Sequence, residues 1–247
     1  MTLLTAGSMR FRWNETNENR TQTLKSIFPN HKIVPLELIH SKTVFEAKTE
    51  DSTKKLQGDG IVTKNPFLIP VVTVADCVPI FLYDKETKAV GAFHSGWKGT
   101  GIIAAGVEKM EELYGSKREN ICAAIGPHIG NCCYFVDEER AEYFTKNFGE
   151  KCVEKAAAFL KPEDEKLAER FPYRLSLTEA NLYVLKKTNI IEENITVAED
   201  CTCCTTFSSG KNVFGSFRRQ AAFLPPEVDA DTRSRSMTVQ AAFVTIF

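Results

Sequence analysis

The fold is decided by the stretch TVADCVPIFLYDKETKAVGAFHSGWKGT, residues 73–100. Within it, PIFLY (79–83) and KAVGAF (88–93) are short and rich in β-branched and aromatic residues, and the turn-forming letters DKET separate them, as in a β-hairpin. A hairpin brings the residue that precedes one strand close to the residue that ends the other. We therefore predict that Cys77 and His94 lie close together at one end of this hairpin.

A glycine-containing loop and a helix follow directly after His94. The loop is SGWKG (95–99), whose glycines permit tight backbone geometry. Thr100 is predicted to cap a helix over 101–114, because apolar residues then recur at helical spacing: Ile102, Ile103, Gly106, Val107, Met110 and Leu113. Reactive side chains at strand ends, beside a glycine loop and a helix N-terminus, are typical of ligand sites in α/β proteins.

The rest of the chain alternates further strands and helices. Apolar patterning predicts strands over 33–39, 43–47, 61–63, 121–125, 195–198 and 238–247, and helices over 137–148 and 177–188. Pro35 places the first of these strands at a sheet edge, and the second helix opens with the capping box 176–179. The polar residues 1–30 are predicted to be a loosely ordered start, and the charged residues 151–172 a helix with a mobile connection. We predict one domain of the α/β type over residues 1–247.

Composition and charge argue against several classes of protein. The chain of 247 residues has 43% hydrophobic and 26% charged residues, which is ordinary for a globular protein. Its net charge of −1 gives no reason to expect nucleic acid or an anionic membrane as a partner. No apolar run reaches the roughly 18 residues of a membrane span, and the start MTLLTAGSMRFRWNE lacks the features of a signal peptide. We expect a cytoplasmic protein.

The eight cysteines are expected to be reduced, since a chain of this length can build its own core and shows no export signal. Cys201, Cys203 and Cys204 could form a second metal site, together with Cys132 and Cys133. However, adjacent cysteines rarely ligate the same ion, and no histidine is close in sequence. We therefore interpret these five residues as reduced, partly buried thiols.

A candidate metal site is formed by three residues near strand ends. Of the four histidines, His40 and His94 end strand-like segments, and Cys77 follows another. Two imidazoles and one thiolate form a ligand set suited to Zn²⁺ and acceptable to copper. Three protein ligands leave a fourth position open, as in catalytic zinc sites, where the pKa of a bound water falls to about 7. Their spacing matches no compact zinc-finger pattern, so a core cysteine and two histidines bonded to backbone carbonyls are the alternative interpretation.

Eight sequence features occur in the order found in one known family. They are His40, GDG (58–60), TVADCVPI (73–80), HSGWKG (94–99), AIGPHIGNCCYFV (124–136), LSLTEANLYVL (175–185), DCTCCTTFSSG (200–210) and SFRR (216–219). On these residues the chain resembles the YfiH-like family, whose members have been called both multicopper polyphenol oxidoreductase laccases and purine nucleoside phosphorylases. The resemblance covers roughly residues 33–247.

The resemblance implies a fold, a metal centre and an activity. The implied fold is α+β, a single domain with a mixed β-sheet sandwich flanked by helices. The family's metal ligands correspond to His40, Cys77 and His94, with zinc expected rather than copper. The implied activity is phosphorolysis of adenosine, inosine, guanosine and methylthioadenosine to base and sugar 1-phosphate, with adenosine deamination at the same site. Purine nucleosides and phosphate are then the partners, and we expect a monomer or a weak homodimer.

Phosphate requires cationic side chains or backbone N–H donors. Gly96, Lys98 and Thr100 at the predicted helix start offer such groups, and Arg218 offers a guanidinium that binds phosphate in a bidentate way. Arg219 is a further candidate, with surface ion pairing as the alternative for both arginines. Relative to the family pattern, Lys98 stands where arginine is usual, which preserves the charge but loses the planar fork.

Three other functions would use the same residues. A multicopper oxidase of phenols is disfavoured, because four histidines cannot supply the ligands of several copper ions. A metal-independent amide hydrolase, of the peptidoglycan-editing type, would use Cys77 as nucleophile and His94 or His40 as base. A non-catalytic protein would use zinc only to brace its fold.

Four further residues allow two interpretations each. Asp76 could orient a metal ligand or a water, or shape a turn. Trp97 and Tyr134 could stack on a purine or pack within the protein. His128, in the loop GPHIG, is interpreted as a surface histidine rather than a substrate contact.

Overall fold

The computed structural model of the chain describes residues 1–156 and 165–246. The strands are β1 (Lys32–Pro35), β2 (Val44–Glu46), β3 (Gly60–Thr63), β4 (Leu68–Val74), β5 (Val78–Asp84), β6 (Val90–Ser95), β7 (Ile121–Ile125), β8 (Phe135–Val136), β9 (Val153–Lys155), β10 (Tyr173–Leu175), β11 (Ile195–Val197) and β12 (Gln240–Phe243). The helices are α1 (Glu18–Ile27), α2 (Ile102–Tyr114), α3 (Glu138–Phe148), α4 (Glu165–Arg170), α5 (Leu177–Lys187), α6 (Phe217–Gln220) and α7 (Ala230–Arg235). Within these described ranges, no helix is both long and apolar enough to cross a membrane.

Two of the sheets pack face to face. The larger has six strands in the order β11-β7-β5-β6-β3-β2, with parallel pairs at its two edges and antiparallel pairs between them. The smaller has the order β1-β4-β12, and Val72 and Val74 of β4 pack with Ala92 of β6. A short antiparallel sheet, β8-β10-β9, is not hydrogen-bonded to either, but its Val136 and Leu175 share the core of the large sheet. The predicted α+β fold, with mixed sheets and flanking helices, is confirmed.

The hairpin predicted within residues 73–100 is present as β5 and β6. Their antiparallel register pairs Pro79 with His94 and Val78 with Ser95. Because Cys77 directly precedes β5, it lies beside the end of β6 that carries His94. The local pattern of the sequence therefore placed these two side chains correctly.

Helix α2 covers the face of the large sheet opposite the small sheet. Successive residues of a strand point to opposite faces, so Phe93 packs with the core under α2 while Ala92 packs with β4. The Phe93 ring lies against Gly106 of α2, where a Cβ would collide with the ring. A glycine in mid-helix thus lets α2 approach the sheet closely.

The start of α2 differs from the prediction. The helix begins at Ile102 after Gly101, whose φ is +101°, and no side chain caps it. The buried hydroxyl of Thr100 instead donates a hydrogen bond to the backbone oxygen of Gly96 at 3.0 Å. The predicted helix cap at Thr100 is therefore wrong, because its hydroxyl closes the preceding loop.

The chain start is more ordered than predicted, since it contains α1. Asn17 caps this helix by accepting a hydrogen bond from the backbone N–H of Arg20 at 3.0 Å. Leu24 and Phe28 then lie one turn apart and pack with Met9 against the small sheet. The polar sequence NETNENRTQT did not indicate a helix, because this helix has only one narrow apolar stripe.

Several other elements follow the prediction. β1 lies at the edge of the small sheet, and Ser176 at the start of α5 accepts a hydrogen bond from the N–H of Glu179 at 3.1 Å.

The terminal strand β12 is shorter than predicted, and Phe247 lies outside the described residues. The predicted helix and connection over 151–172 falls partly on 157–164, which also lie outside the described residues; on either side the chain forms β9 and α4.

Candidate metal centre

His40, Cys77 and His94 converge at one end of the β5–β6 hairpin. Their candidate ligand atoms all lie within 4.8 Å of one another. The Sγ of Cys77 is 3.9 Å from Nε2 of His40, and the two imidazole rings meet edge to face with centroids 4.8 Å apart. His94 is buried, Cys77 is half-buried and His40 is exposed. The cluster could therefore hold a metal ion with one side open to solvent.

Asp59 fixes the orientation of the histidines. Its side chain is fully buried, and its Oδ1 accepts hydrogen bonds from Nδ1 of His94 at 2.8 Å and from the backbone N–H of His40 at 2.9 Å. Its Oδ2 accepts from the N–H and hydroxyl of Ser41 at 2.6 and 2.7 Å. Because the carboxylate is an acceptor, Nδ1 of His94 carries a hydrogen and Nε2 is left to meet Cys77 or a metal.

The charges within the cluster favour a thiolate. Burial alone would raise the pKa of Cys77, but the imidazoles of His94 and His40 outweigh burial and lower this pKa to about 6. Burial alone would lower the pKa of His94, but Cys77 and Asp59 outweigh it and raise this pKa to about 9. The metal-free cluster therefore holds a thiolate beside an imidazolium near neutral pH.

The loop after β6 leaves room for an ion. A Cβ at Gly96 would lie 2.7 Å from Cδ2 of His40 and 3.1 Å from Sγ of Cys77, so only glycine fits without displacing the ligands. His40 adopts a left-handed φ of +60°, which is uncommon for a residue with a side chain and typical of functional sites. The N₂S donor set, the Nε2 of His94 on the side away from Asp59 and this glycine cradle all fit a zinc ion, which would replace the Nε2 proton.

Two cavities meet at the cluster. The larger, about 540 Å³, extends from His40 and Cys77 to the cationic side chains Lys98, Arg140 and Arg218. We call it the cationic cavity. A second cavity, about 340 Å³, opens on another side of the same cluster. A ligand in the cationic cavity would contact the cluster and three positive charges at once.

Aromatic rings share the walls of the cationic cavity with these cations. The guanidinium of Arg140 lies 4.5 Å from the ring centroid of Trp97, and the ammonium of Lys98 lies 5.3 Å from it. The guanidinium of Arg218 lies 5.5 Å from the ring of Tyr134. The Nε of Arg140 is buried and has no hydrogen-bond partner among the described residues. The cavity therefore offers flat apolar surfaces together with donors for an anion.

Asp76 positions Arg218 rather than a metal ligand. Its buried carboxylate accepts hydrogen bonds from the N–H of Arg218 at 2.6 Å, from Thr202 at 2.7 Å and from Ser216 at 3.0 Å. Burial raises the pKa of Asp76 despite these hydrogen bonds. Its φ of +82° also shapes the turn between β4 and β5. The positioning role considered for Asp76 is thus directed at the loop that carries Arg218.

The residues predicted to bind phosphate occupy different places. Lys98 and Arg218 line the cationic cavity, whereas Gly96 forms the cradle under the cluster and Thr100 closes the loop behind it. Arg219 donates hydrogen bonds to the backbone oxygens of Thr202, Cys203 and Phe214. Its guanidinium therefore joins two loops, and among the described residues it forms no ion pair.

His128 is buried, and its interpretation as a surface histidine is wrong. Its Nδ1 lies 2.8 Å from the oxygen of Gly126 and its Nε2 lies 2.9 Å from the hydroxyl of Thr178. The loop folds inward because it is anchored on α5 by this second contact. Burial lowers the pKa of His128, so the neutral imidazole is favoured.

Sequence reasoning missed two residues of the site. Asp59 stood within the quoted GDG, and two glycines flanking a carboxylate before a strand were an available signal. Arg140 stood in the acidic run DEER at the start of the helix predicted over 137–148, where nothing distinguished it from a solvated charge. Its position depends on α3 packing beside the SGWKG loop, which only the tertiary fold determines.

Several known proteins are similar to this chain in sequence. Residues 12–223 match the family described as multi-copper polyphenol oxidoreductase laccase. A purine nucleoside phosphorylase of Clostridium acetobutylicum is 37% identical over 133 residues, which cover 53% of this chain and 55% of that protein. The purine nucleoside phosphorylase YlmD of Geobacillus stearothermophilus is 30% identical over 214 residues, which cover 80% of this chain and 73% of that protein.

The fold is also found among solved structures. The crystal structure of YlmD from Geobacillus stearothermophilus superimposes with a TM-score of 0.73 at 24% identity, covering 96% of this chain and 83% of that chain. The chain spans about half the length of several of the curated relatives it matches.

Proposed function

Since this chain belongs to the multi-copper polyphenol oxidoreductase laccase family, several of whose members are named purine nucleoside phosphorylases, we propose that it is itself a purine nucleoside phosphorylase with its metal centre at His40, Cys77 and His94. The observation that carries this proposal is the cationic cavity. It joins a cluster fit for a metal to three cationic side chains and two aromatic rings in one space. A nucleoside and a phosphate both find complementary groups there.

The cationic side chains would bind the phosphate. Lys98, Arg140 and Arg218 carry donors for its oxygens. Asp76 holds the backbone of Arg218 and so limits its freedom. Phosphorolysis forms a bond from a phosphate oxygen to C1′ of the ribose as the bond from C1′ to the base breaks. Holding the phosphate in line supplies much of the rate, because the reaction becomes effectively intramolecular.

Other residues of the site would bind the purine and the metal. The rings of Trp97 and Tyr134 offer stacking surfaces for adenosine, inosine, guanosine and methylthioadenosine. Zinc held by His40, Cys77 and His94 would supply Lewis acidity and a water of lowered pKa, as adenosine deamination requires. Asp59 would keep His94 in the tautomer that leaves Nε2 free.

Product analysis tests the activity. Zinc-loaded protein should release hypoxanthine from inosine only when phosphate is present, and should convert adenosine to inosine without phosphate. Cys77→Ala should abolish both reactions, whereas the control Cys122→Ala, on β7 outside the cluster, should retain both. A protein with full zinc occupancy that leaves every purine nucleoside intact in phosphate would contradict the proposal.

A second candidate function is favoured by one feature of the geometry. Cys77 contacts His94 and His94 contacts Asp59, as a nucleophile, a base and the carboxylate that orients the base would. This arrangement would suit a metal-independent amide hydrolase. Stripping the zinc distinguishes the two, since the hydrolase would keep its activity until Cys77 is alkylated, and the phosphorylase would lose its activity with the metal.

Copper oxidation of phenols is the third possibility, because the family description names it. The chain has only four histidines, and His128 is buried against Thr178 away from the cluster. Metal analysis with oxygen-uptake measurements on a phenol tests this function. We expect zinc and no phenol-dependent oxygen uptake.

A further inference from the structure

Four cysteines from two distant segments meet on the surface. Cys132 and Cys133 lie in the loop after β7, and Cys201 and Cys204 lie in the segment after β11. Their sulfur atoms all lie within 4.8 Å of one another, and those of Cys132 and Cys204 are 3.7 Å apart. Four sulfurs at about 2.3 Å from one tetrahedral zinc lie roughly 3.8 Å apart. The observed spacing thus leaves room for a single ion.

The surroundings of these sulfurs resemble those of a metal site. The backbone N–H of Gly130 donates to Sγ of Cys201 at 3.2 Å, and such amide donors stabilise thiolates. Cys201 is buried whereas Cys132 and Cys204 are exposed, so an ion could enter from solvent.

The objection that adjacent cysteines rarely share an ion is met by the local backbone. The N–H groups of Cys133 and Tyr134 both donate to the oxygen of Gly130 at 3.0 Å. This tight turn brings the sulfurs of Cys132 and Cys133 to the same group of ligand atoms. The two cysteine pairs are far apart in the sequence and come together only when the strands pair.

We propose that Cys132, Cys133, Cys201 and Cys204 bind a second metal ion, a zinc ion held tetrahedrally by four thiolates. Thiolates select soft ions, and four protein ligands leave no open position, as in structural zinc sites. The site stands independently of the proposed phosphorylase activity.

Such an ion would brace one wall of the cationic cavity. Cys133 directly precedes Tyr134, which lines that cavity. Thr202, between two of the cysteines, donates its hydroxyl to Asp76, which in turn holds Arg218. Zinc at the four cysteines would therefore fix the loops that position an aromatic ring and a cation, without contacting the cluster of His40.

Zinc counting on intact protein purified with a reductant tests the proposal. The wild-type chain should carry two zinc ions, the double variant Cys132→Ser/Cys204→Ser one, and Cys77→Ala one. Cys122→Ser should keep two. X-ray absorption at the zinc edge of the Cys77→Ala protein should give four sulfur neighbours at about 2.3 Å and no nitrogen. This last measurement does not depend on the double variant folding.

Three results would overturn the proposal. The first is one zinc per wild-type chain and none in Cys77→Ala. The second is a zinc count that stays at two in Cys132→Ser/Cys204→Ser, or nitrogen neighbours in the Cys77→Ala spectrum. The third is a Cys132–Cys204 disulfide detected by mass in the reduced preparation. None of these results bears on phosphate-dependent cleavage of inosine, so the two proposals fail separately.

Discussion

Asp59 is the residue through which the fold sets the geometry of the metal centre. It is buried, and it contacts His94, His40 and Ser41 at the same time. Asp59→Asn preserves the shape but offers an amide where a carboxylate accepted from Nδ1 of His94. We expect the affinity for zinc to fall roughly 10- to 100-fold, the usual effect of removing such a partner. Competition with a chromogenic chelator measures it.

The matched control is Asp84→Asn at the other end of the hairpin. Asp84 is equally buried, but its carboxylate accepts from Thr87 and Glu86 in the turn between β5 and β6. This variant should lower the free energy of unfolding and keep the affinity for zinc. Equal zinc affinities in the Asp59 and Asp84 variants would contradict the role given to Asp59.

Arg140 carries the second prediction at this scale. Arg140→Gln removes one of the three positive charges that line the cationic cavity. Because a hydrogen bond to a charged group contributes about 1.5–3 kcal/mol, we expect the KM for phosphate to rise roughly 10- to 100-fold. Initial rates at varied phosphate measure this change. Arg118→Gln, whose guanidinium pairs with Glu111 near the surface, should leave the KM unchanged.

The loop between β6 and α2 decides whether the ligands have room. In Gly96→Ala the added methyl would sit 2.7 Å from Cδ2 of His40 and 3.1 Å from Sγ of Cys77. We expect loss of zinc with the fold retained, measured as metal content beside the circular dichroism spectrum. Gly115→Ala, at the end of α2 with φ +66° and open space around it, should cost about 1 kcal/mol of stability and keep the zinc. Full zinc occupancy in Gly96→Ala would contradict the inference that only glycine at this position leaves room for the metal ligands.

Secondary-structure elements could be predicted where neighbouring residues form a clear pattern. The hairpin β5–β6 followed from two apolar runs and a four-residue turn, and the helix α5 from its capping residues. The helix α1 was not predicted, because a single apolar stripe among polar letters gives a weak periodic signal. The cap of α2 was assigned to Thr100 because cap preference is only statistical, and here Gly101 takes that position.

At the scale of the whole molecule, the convergence of distant segments was harder to predict. The sequence placed His40, Cys77 and His94 at or after strand ends, and the family resemblance implied that they are metal ligands. The clustered cysteines were interpreted as reduced thiols, because adjacent cysteines rarely ligate the same ion and no histidine is close in sequence. Their two halves meet through the parallel pairing of β7 with β11. Strand order is a non-local property that no single stretch of sequence encodes. Sequence reasoning therefore predicted the grouping of side chains along the hairpin, whereas the grouping across the sheet depends on the strand order.

Both metal proposals make a joint prediction about thiol reactivity across the chain. With zinc present, iodoacetamide should spare Cys77 and the four clustered cysteines, because metal-bound sulfur is protected. After zinc is removed by a chelator, the Cys77 thiolate and the exposed thiols of Cys132 and Cys204 should all react, while the buried Cys152 stays unmodified. Peptide mass spectrometry gives the rate at each position. Rates at Cys132 and Cys204 that are equal with and without zinc would contradict the second site, and an unprotected Cys77 would contradict the first, so one experiment judges each site by its own residues.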